Sequence, residues 1–179
     1  MRRTSNRQSR ADAVLLLKSL IRLIPAATLM NLPQNFFEEI VKVSRDRISY
    51  QAMKAALQVL YGVSEHGRNT AKAVGAGGVH VLVELLLDEP EKKGCQMMMA
   101  MLGELCGCAD GRSAVVRHAA GLAVIAKKMV RISSAATETA TECGNSTREM
   151  MKEMLGMHYK AWRSSPCLTP QLKALYPPA

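Results

Sequence analysis

Apolar side chains recur every three or four residues along most of the chain, which is the spacing of one helix face. The clearest series lies in residues 47–63 and predicts a helix with a wide buried face. Its apolar members are Ala52, Ala55, Ala56, Val59, Leu60 and Val63. A second long helix is predicted over residues 91–107, and shorter helices over 67–75 and 79–87, separated by a glycine-rich turn at residues 75–78.

The helical pattern repeats along the chain. Residues 67–77 align with residues 111–121 at an offset of 44, and apolar positions of the predicted long helices align at an offset of 45. This period lies within the window of about 40–47 residues that armadillo and HEAT units occupy, and three helices per unit favour armadillo. The sequence therefore predicts an all-α fold, an armadillo-type alpha-alpha superhelix, which is a right-handed solenoid of helical repeats.

The predicted domain organisation has three parts. Residues 1–10 are expected to form a disordered basic leader, and armadillo-like repeats follow over residues 11–163. The predicted repeats are 11–66, 67–109 and 110–163, and the last of them is truncated or hybrid. Residues 164–179 are predicted to form a C-terminal tail.

The composition agrees with a helical protein that is not secreted. Of the residues, 48% are hydrophobic, and twelve are Met while only seven are aromatic, a balance that favours helices over strands. The longest uncharged stretch, residues 23–37, contains two prolines and is too short to cross a bilayer, so no membrane span is predicted. Because no secretory signal is visible, we expect a cytoplasmic protein, with the nucleus as a second location, and reduced cysteines.

The net charge of +9 is concentrated at the N-terminal end, where residues 1–30 hold six basic side chains and one acidic side chain. A solvated basic leader explains this distribution better than a nucleic-acid-binding arm, so no nucleic acid is expected as a partner. The alternative, a basic nucleic-acid binder, predicts strongly salt-dependent affinity for DNA or RNA.

Two surfaces are candidate binding sites. Stacked armadillo units place their long third helices side by side on a concave face, which is the surface that solenoids use to bind partners. The predicted partner-binding groove consists of Gln51, Lys54, Gln58, Tyr61, Gln96, Met99 and Gly103. A basic strip is predicted on the last middle helix, formed by Lys127, Lys128 and Arg131. For any one of these residues a plain solvated position is the simpler interpretation.

Metal or cofactor chemistry is not expected. Cys106, Cys108 and His118 offer three ligand types, but a C-x-C pair without a second close pair is a weak pattern, and structural zinc takes four ligands. The prediction is therefore no catalytic residue, no metal and no cofactor.

Six runs of residues carry information beyond the repeat period. They are Arg45-Asp46-Arg47-Ile48-Ser49, Gly67-Arg68-Asn69, Val81-Leu82-Val83-Glu84-Leu85-Leu86-Leu87-Asp88-Glu89-Pro90, Leu105-Cys106-Gly107-Cys108-Ala109, Ser133-Ser134-Ala135-Ala136-Thr137-Glu138 and Ala161-Trp162-Arg163. In the first five runs the chain closely resembles the armadillo region of plant U-box ubiquitin-protein ligases, and the last run looks like that family's carboxyl-terminal helix and tail. The resemblance covers about residues 40–140 and 148–168, and residues 139–147 depart from it because the family pattern is shortened there.

The resemblance implies the substrate-binding armadillo region of a U-box-type ubiquitin-protein ligase, which acts in protein ubiquitination by recruiting a target protein. The family's U-box binds the ubiquitin-conjugating enzyme, and nothing in residues 1–40 resembles a U-box. We therefore expect this chain to be inactive as a ligase alone and to meet a conjugating enzyme only through the missing U-box. One alternative is a non-catalytic armadillo scaffold or competitor outside ubiquitination. Another is a protein that ligates ubiquitin through its own Cys106, or through a U-box elsewhere on a longer gene product.

Overall fold

The computed structural model describes the backbone of residues 2–66, 68–133, 149 and 152–157, and this part of the chain contains helices and no strand. Its main helices are α1 (Arg2–Leu20), α2 (Ala26–Met30), α3 (Gln34–Asp46), α4 (Tyr50–Ser64), α5 (Asn69–Gly75), α6 (Gly78–Asp88), α7 (Lys92–Cys106), α8 (Ala109–Arg117) and α9 (Gly121–Ser133). A 3₁₀ turn, Ile21–Leu23, follows α1. The prediction of an all-α fold is confirmed.

The chain divides into two compact units, residues Met1–Val81 and Leu82–Ala179, and the division falls inside α6. In the first unit α4 packs against α1, α3 and α5. In the second unit α8 and α9 both pack on α7 and on each other. The repeat boundaries expected from the sequence, at residues 66 and 109, stay predictions.

Helix α4 corresponds to the helix that the sequence predicts over residues 47–63. Ser49 precedes it, and the Ser49 hydroxyl accepts a hydrogen bond from the Ala52 backbone N–H at 3.0 Å, which caps the helix. All six apolar positions of the predicted face are at most 1% exposed. Phe37 of α3 is also fully buried, and together these side chains form the core of the first unit.

The predicted disordered leader is wrong, because residues from Arg2 onwards belong to α1. Ala11 and Val14 bury one side of this helix. Arg7 donates a hydrogen bond to the Asp46 backbone oxygen at 3.0 Å, and Arg10 donates to the Asp46 carboxylate at 3.0 Å. Asp46 is the last residue of α3, where the helix dipole also favours cations. Two of the arginines that suggested a solvated leader therefore pair with the C-terminal end of another helix.

Two polar side chains of α5 form hydrogen bonds with the rest of the first unit. Asn69 is fully buried, and its amide Nδ2 donates to the backbone oxygens of Leu29, at 2.7 Å, and Val63, at 2.8 Å. The Lys72 ammonium donates to the Leu32 backbone oxygen at 2.7 Å. Because Val63 is in the last turn of α4, the Asn69 bond also fixes the C-terminal end of that helix.

In the second unit two ionisable side chains are buried at the loop between α6 and α7. They are Glu89, which belongs to the loop, and Lys128, which belongs to α9. The Lys128 Nζ donates to the Glu89 backbone oxygen at 2.8 Å, and the Glu89 carboxylate accepts the Glu91 backbone N–H at 2.9 Å. Gly94 leaves room for that carboxylate, since a Cβ at Gly94 would lie 2.5 Å from its Cδ. The loop is therefore held by α9 on one side and by the first turn of α7 on the other.

Two further predictions, the hybrid segment at residues 139–147 and the tail at 164–179, lie outside the described residues. Within the described residues no single helix is long and apolar enough to cross a membrane, and α5 and α6 reach that length and composition only as a bent pair.

Candidate functional site

One side of α4 is polar and accessible while the rest of the helix is buried. Gln51 and Lys54 are exposed, and Gln58 and Tyr61 are half-buried. Because these four residues are spaced three, four and three apart, they lie along one line of the helix surface, which we call the α4 stripe. The structure therefore brings together the four α4 residues that the sequence assigned to the partner-binding groove.

The α4 stripe carries hydrogen-bonding groups of several kinds. Gln51 and Gln58 have amides that both donate and accept, Lys54 has an ammonium that donates, and Tyr61 has a phenol that does both. The Gln58 side-chain oxygen is buried, and no described group donates a hydrogen bond to it. A buried acceptor without a donor costs free energy, and a partner on the surface does not reach this oxygen unless the Gln58 amide turns outward.

The prediction for α7 is wrong at two of its three positions. Gln96 is exposed, but Met99 is only 5% exposed and Gly103 is also buried. Helix α7 buries a wide arc because α8 and α9 both pack on it. The accessible residues of α7 form a narrow line on a different side of the helix from Met99 and Gly103. This line consists of Lys93, Gln96, Met97, Ala100 and Glu104.

The basic strip predicted on α9 is not a continuous surface. Lys127 is exposed as expected, whereas Lys128 is only 5% exposed and directs its ammonium to the Glu89 backbone oxygen. The Arg131 side chain lies outside the described residues. The expectation of a solvated strip is therefore wrong for Lys128, because a long side chain can place its ammonium on a buried acceptor.

The cysteines near the end of α7 have structural roles. Cys106 is fully buried, and this burial raises the pKa of its thiol to about 12, although the nearby Arg112 guanidinium lowers that pKa. Arg112 donates to the Cys106 backbone oxygen at 2.8 Å. The Cys108 sulfur accepts the Gly111 backbone N–H at 3.4 Å and caps the start of α8. A thiol held in its protonated form is a poor nucleophile, so the geometry does not favour Cys106 as a thioester residue.

His118 does not join Cys106 and Cys108 as a three-ligand metal group. Its Nε2 lies 3.1 Å from a Glu84 carboxylate oxygen, and its Nδ1 accepts the Ala120 backbone N–H at 3.2 Å. Because Nδ1 accepts, the ring proton is on Nε2 and is donated to Glu84. His118 therefore fixes the turn between α8 and α9 against α6.

A surface that the sequence did not indicate lies between α1 and α3. This α1–α3 groove has a volume of about 480 Å³, and its lining is mostly apolar. Val14 and Leu17 line it from α1, and Phe36, Ile40 and Val43 line it from α3. The groove was not predicted because residues 1–10 were expected to be disordered, which left α1 without a fixed position.

Comparison with known proteins places these observations in a family. The family model described as the plant U-box protein ARM repeat region matches residues 1–142. The match begins at the first residue of the chain and so includes the arginine-rich helix that the sequence analysis set aside as a leader. No solved structure matches the chain significantly.

Several curated proteins of Arabidopsis thaliana are similar to this chain. The E3 ubiquitin-protein ligase PUB23 is 34% identical over 95% of this chain and 50% of its own length. The E3 ubiquitin-protein ligase PUB22 is 32% identical over 95% of this chain and 48% of its own length. The U-box domain-containing protein 21 is 28% identical over 58% of this chain and 24% of its own length. The chain spans about half the length of the two ligases.

Proposed function

Because this chain belongs to the plant U-box protein ARM repeat family, we propose that it is the substrate-binding armadillo region of a U-box-type ubiquitin-protein ligase and recruits a target protein for ubiquitination. The observation that carries the proposal is the α4 stripe, a line of accessible hydrogen-bonding side chains on an otherwise buried helix. The buried sides of such a helix pack in the protein core and fix its position, and its one accessible side is available to bind a partner.

The chemistry of the α4 stripe suits a polypeptide partner. Backbone N–H and C=O groups of a peptide alternate donors with acceptors, and glutamine amides pair with both. The Lys54 ammonium adds a preference for an acidic side chain or a backbone oxygen nearby. We place target recognition at Gln51, Lys54, Gln58 and Tyr61.

The role of this chain in catalysis would be positional. When a target lysine is held near a ubiquitin thioester on a conjugating enzyme, the two reacting groups are in one complex. The transfer of ubiquitin then no longer depends on an encounter between two free molecules. The conjugating enzyme would be held by a U-box, which residues 1–40 do not resemble. None of the described cysteines takes part in this proposal, because Cys95 and Cys106 are buried and Cys108 caps α8.

A chimera tests the proposal. The half of PUB23 that aligns with this chain is replaced by this chain, and a photo-crosslinking amino acid is placed at Gln51 to capture a target from plant extract. The captured polypeptide is then purified and incubated with the chimera, activating enzyme and conjugating enzyme. We expect it to be ubiquitinated, and we expect the Lys54→Glu/Gln58→Ala double variant to reduce crosslinking and ubiquitination together.

The Lys127→Glu variant is the matched control, since it reverses an exposed charge on a different helix and should change neither readout. Crosslinking that is unaffected by the double variant contradicts the assignment of the α4 stripe. Stripe-dependent crosslinking without ubiquitination instead supports the alternative of an armadillo scaffold or competitor outside ubiquitination. Ubiquitin chains formed by this chain alone, and lost in Cys106→Ala, would overturn the non-catalytic role.

A further inference from the structure

A glycine lies on the accessible side of α4 without a packing reason for it. Gly62 is half-buried and is four residues after Gln58, so the two positions are neighbours on the helix surface. A Cβ at Gly62 would have no atom within 4 Å outside its own chain neighbours and the helix backbone. Glycine inside a helix is less favourable than alanine. The accessible side of α4 therefore has a gap that the packing of the helix does not explain.

Glu65, the residue that follows α4, departs from a second local rule. The C-terminal end of a helix carries a partial negative charge, so an acidic side chain there is unfavourable unless a cation is close. Helix α4 has no basic residue in its last turn, and the exposed Glu65 side chain has no ion pair or hydrogen bond with a described residue. At the end of α3, by contrast, Arg7 and Arg10 supply the cations. Departures from local rules without a structural compensation are typical of functional sites.

The gap and the carboxylate lie on one side of the helix. Glu65 is three residues after Gly62 and keeps helical backbone angles, and helical side chains lean towards the N-terminal end of their helix. The Glu65 side chain therefore leans towards the gap. Tyr61, four residues before Glu65, borders the same area. We call Tyr61, Gly62 and Glu65 the α4 end site.

Each part of the α4 end site favours a cation. The Glu65 carboxylate attracts a positive charge, the end of the helix dipole adds to that attraction, and the face of the Tyr61 ring binds cations as well. A lysine or arginine side chain also has an apolar stem that can cross the gap at Gly62 while its charged group reaches the carboxylate. An acidic side chain would be repelled at all three points.

We propose that the α4 end site binds a lysine or arginine side chain of the target, an inference that rests on the target recognition proposed for the α4 stripe. Lys54 is eight residues before Gly62, which corresponds to about 12 Å along the helix axis. An extended polypeptide covers this distance in about four residues. The recognised segment therefore carries an acidic residue for Lys54 and a basic residue about four positions away from it.

Short random peptides displayed on phage and selected on the full chain provide the probes. Binders that are lost in the Lys54→Glu/Gln58→Ala variant are assigned to the α4 stripe, and among these we expect an acidic and a basic residue about four positions apart. One such peptide is synthesised, and fluorescence anisotropy measures its affinity at low salt. We expect Glu65→Lys to weaken binding about tenfold, because an attraction becomes a repulsion, and Gly62→Leu to weaken it by filling the gap.

Two controls separate recognition from folding. Glu38→Lys is the matched variant, since it reverses the charge of an exposed glutamate on α3 that lines a different cavity, against the turn before α6, and it should leave the affinity unchanged. Replacing the basic residue of the peptide by glutamine should weaken binding to the parent protein but not to Glu65→Lys. Circular dichroism should show that Gly62→Leu keeps its fold, because the gap has room for a side chain.

The selection distinguishes failure of this inference from failure of the proposed function. Stripe-dependent peptides without a basic residue at that spacing, or with the same affinity for Glu65→Lys as for the parent protein, would overturn the α4 end site and leave the α4 stripe intact. A selection without any stripe-dependent peptide would overturn both.

Discussion

Cys106 shows how burial determines the chemistry of a single side chain. Its thiol has a pKa raised to about 12 from an ordinary value of 9.0, because the buried thiolate would lose its hydration. At pH 8 we therefore expect Cys106 to resist alkylation by iodoacetamide in the folded protein and to react once urea unfolds it. Cys108, which is half-buried, provides the internal comparison, and peptide mapping by mass spectrometry measures both. Rapid alkylation of Cys106 in the folded state would contradict its assigned burial.

The same shift predicts how stability changes with pH. The pKa of Cys106 is raised in the folded state, so its contribution to stability is complete below about pH 9 and is lost as pH rises towards 12. Across this window the unfolded thiol ionises while the folded one keeps its proton. The free energy of unfolding should therefore fall, relative to that of Cys106→Ala, by about 1.4 kcal/mol per pH unit. Urea unfolding at several alkaline pH values, on both proteins, measures the difference.

At this scale the sequence predicted some residues well and others poorly. The four residues of the α4 stripe followed from helical spacing alone, because α4 has a single accessible side. The exposure of Met99 and Gly103 was predicted wrongly. Sequence spacing shows which line of the helix surface a residue occupies, but not how many neighbouring helices cover that line. Lys128 was missed for a different reason: a buried ammonium depends on an acceptor 39 residues away in the sequence, the Glu89 backbone oxygen.

Two adjacent lysines on α9 provide a test of how the α6–α7 loop is held. Lys128→Met removes the stronger donor to the Glu89 backbone oxygen and leaves that buried acceptor only a weak hydrogen bond from the Cys95 thiol, so we expect the free energy of unfolding to fall by about 1–3 kcal/mol. Lys127→Met is the matched control, because Lys127 is exposed and the change should stay within about 0.5 kcal/mol. Chemical denaturation measures both. Equal effects would mean that the Lys128 bond contributes nothing to the loop.

Two glycines in helices should respond to alanine in opposite directions. Gly62 is in α4, and a Cβ there would meet no atom within 4 Å, so Gly62→Ala should raise the free energy of unfolding by about 0.5–1 kcal/mol through a lower backbone entropy in the unfolded chain. Gly111 is in the first turns of α8, and a Cβ there would overlap the Leu105 backbone oxygen. Gly111→Ala should therefore lower the free energy of unfolding by about 1–3 kcal/mol.

Thermal unfolding of the two alanine variants against the parent protein decides this prediction. A loss of stability in Gly62→Ala would show that the space beside α4 is filled in solution. No loss in Gly111→Ala would show that α8 starts elsewhere.

Elements with a long apolar period were predicted within a few residues of their observed bounds, and α4 and α7 are examples. Helix α1 was not predicted as an element, because residues 1–10 were expected to be disordered and the residues after them were assigned only to the first repeat. Its apolar side from Ala11 onwards is evident in the sequence, but its first turns contain four arginines and no apolar residue between Arg2 and Arg10. The favourable partners of Arg7 and Arg10 are on α3, more than thirty residues away, and no local pattern reveals them. Local sequence cannot distinguish a charged helix end from a charged leader when the paired groups are distant.

On the scale of the whole molecule, the repeat period determined the fold class and the family comparison confirmed it. A period of 44 to 45 residues restricts the choice to a few helical solenoids because each repeat must bury its apolar face on a neighbour. The target of the protein could not be predicted in the same way. Recognition depends on which polar side chains lie side by side in the folded chain, and these lie on helices whose rotation the sequence leaves undetermined.

The distribution of charge over the folded chain leads to a last prediction, about nucleic acids. The net charge is +9, and two of the six basic residues in the first thirty, Arg7 and Arg10, already bind Asp46 at the end of α3. Glu39, in the middle of α3, also pairs with Arg10. Among the described residues α9 presents no continuous basic strip, because Lys128 is buried there. Since affinity for DNA depends on the number of phosphates contacted, we expect binding to be weak and to disappear between about 50 and 200 mM salt. Anisotropy of a labelled duplex across that range measures it, and tight binding that persists at the higher salt would contradict this prediction.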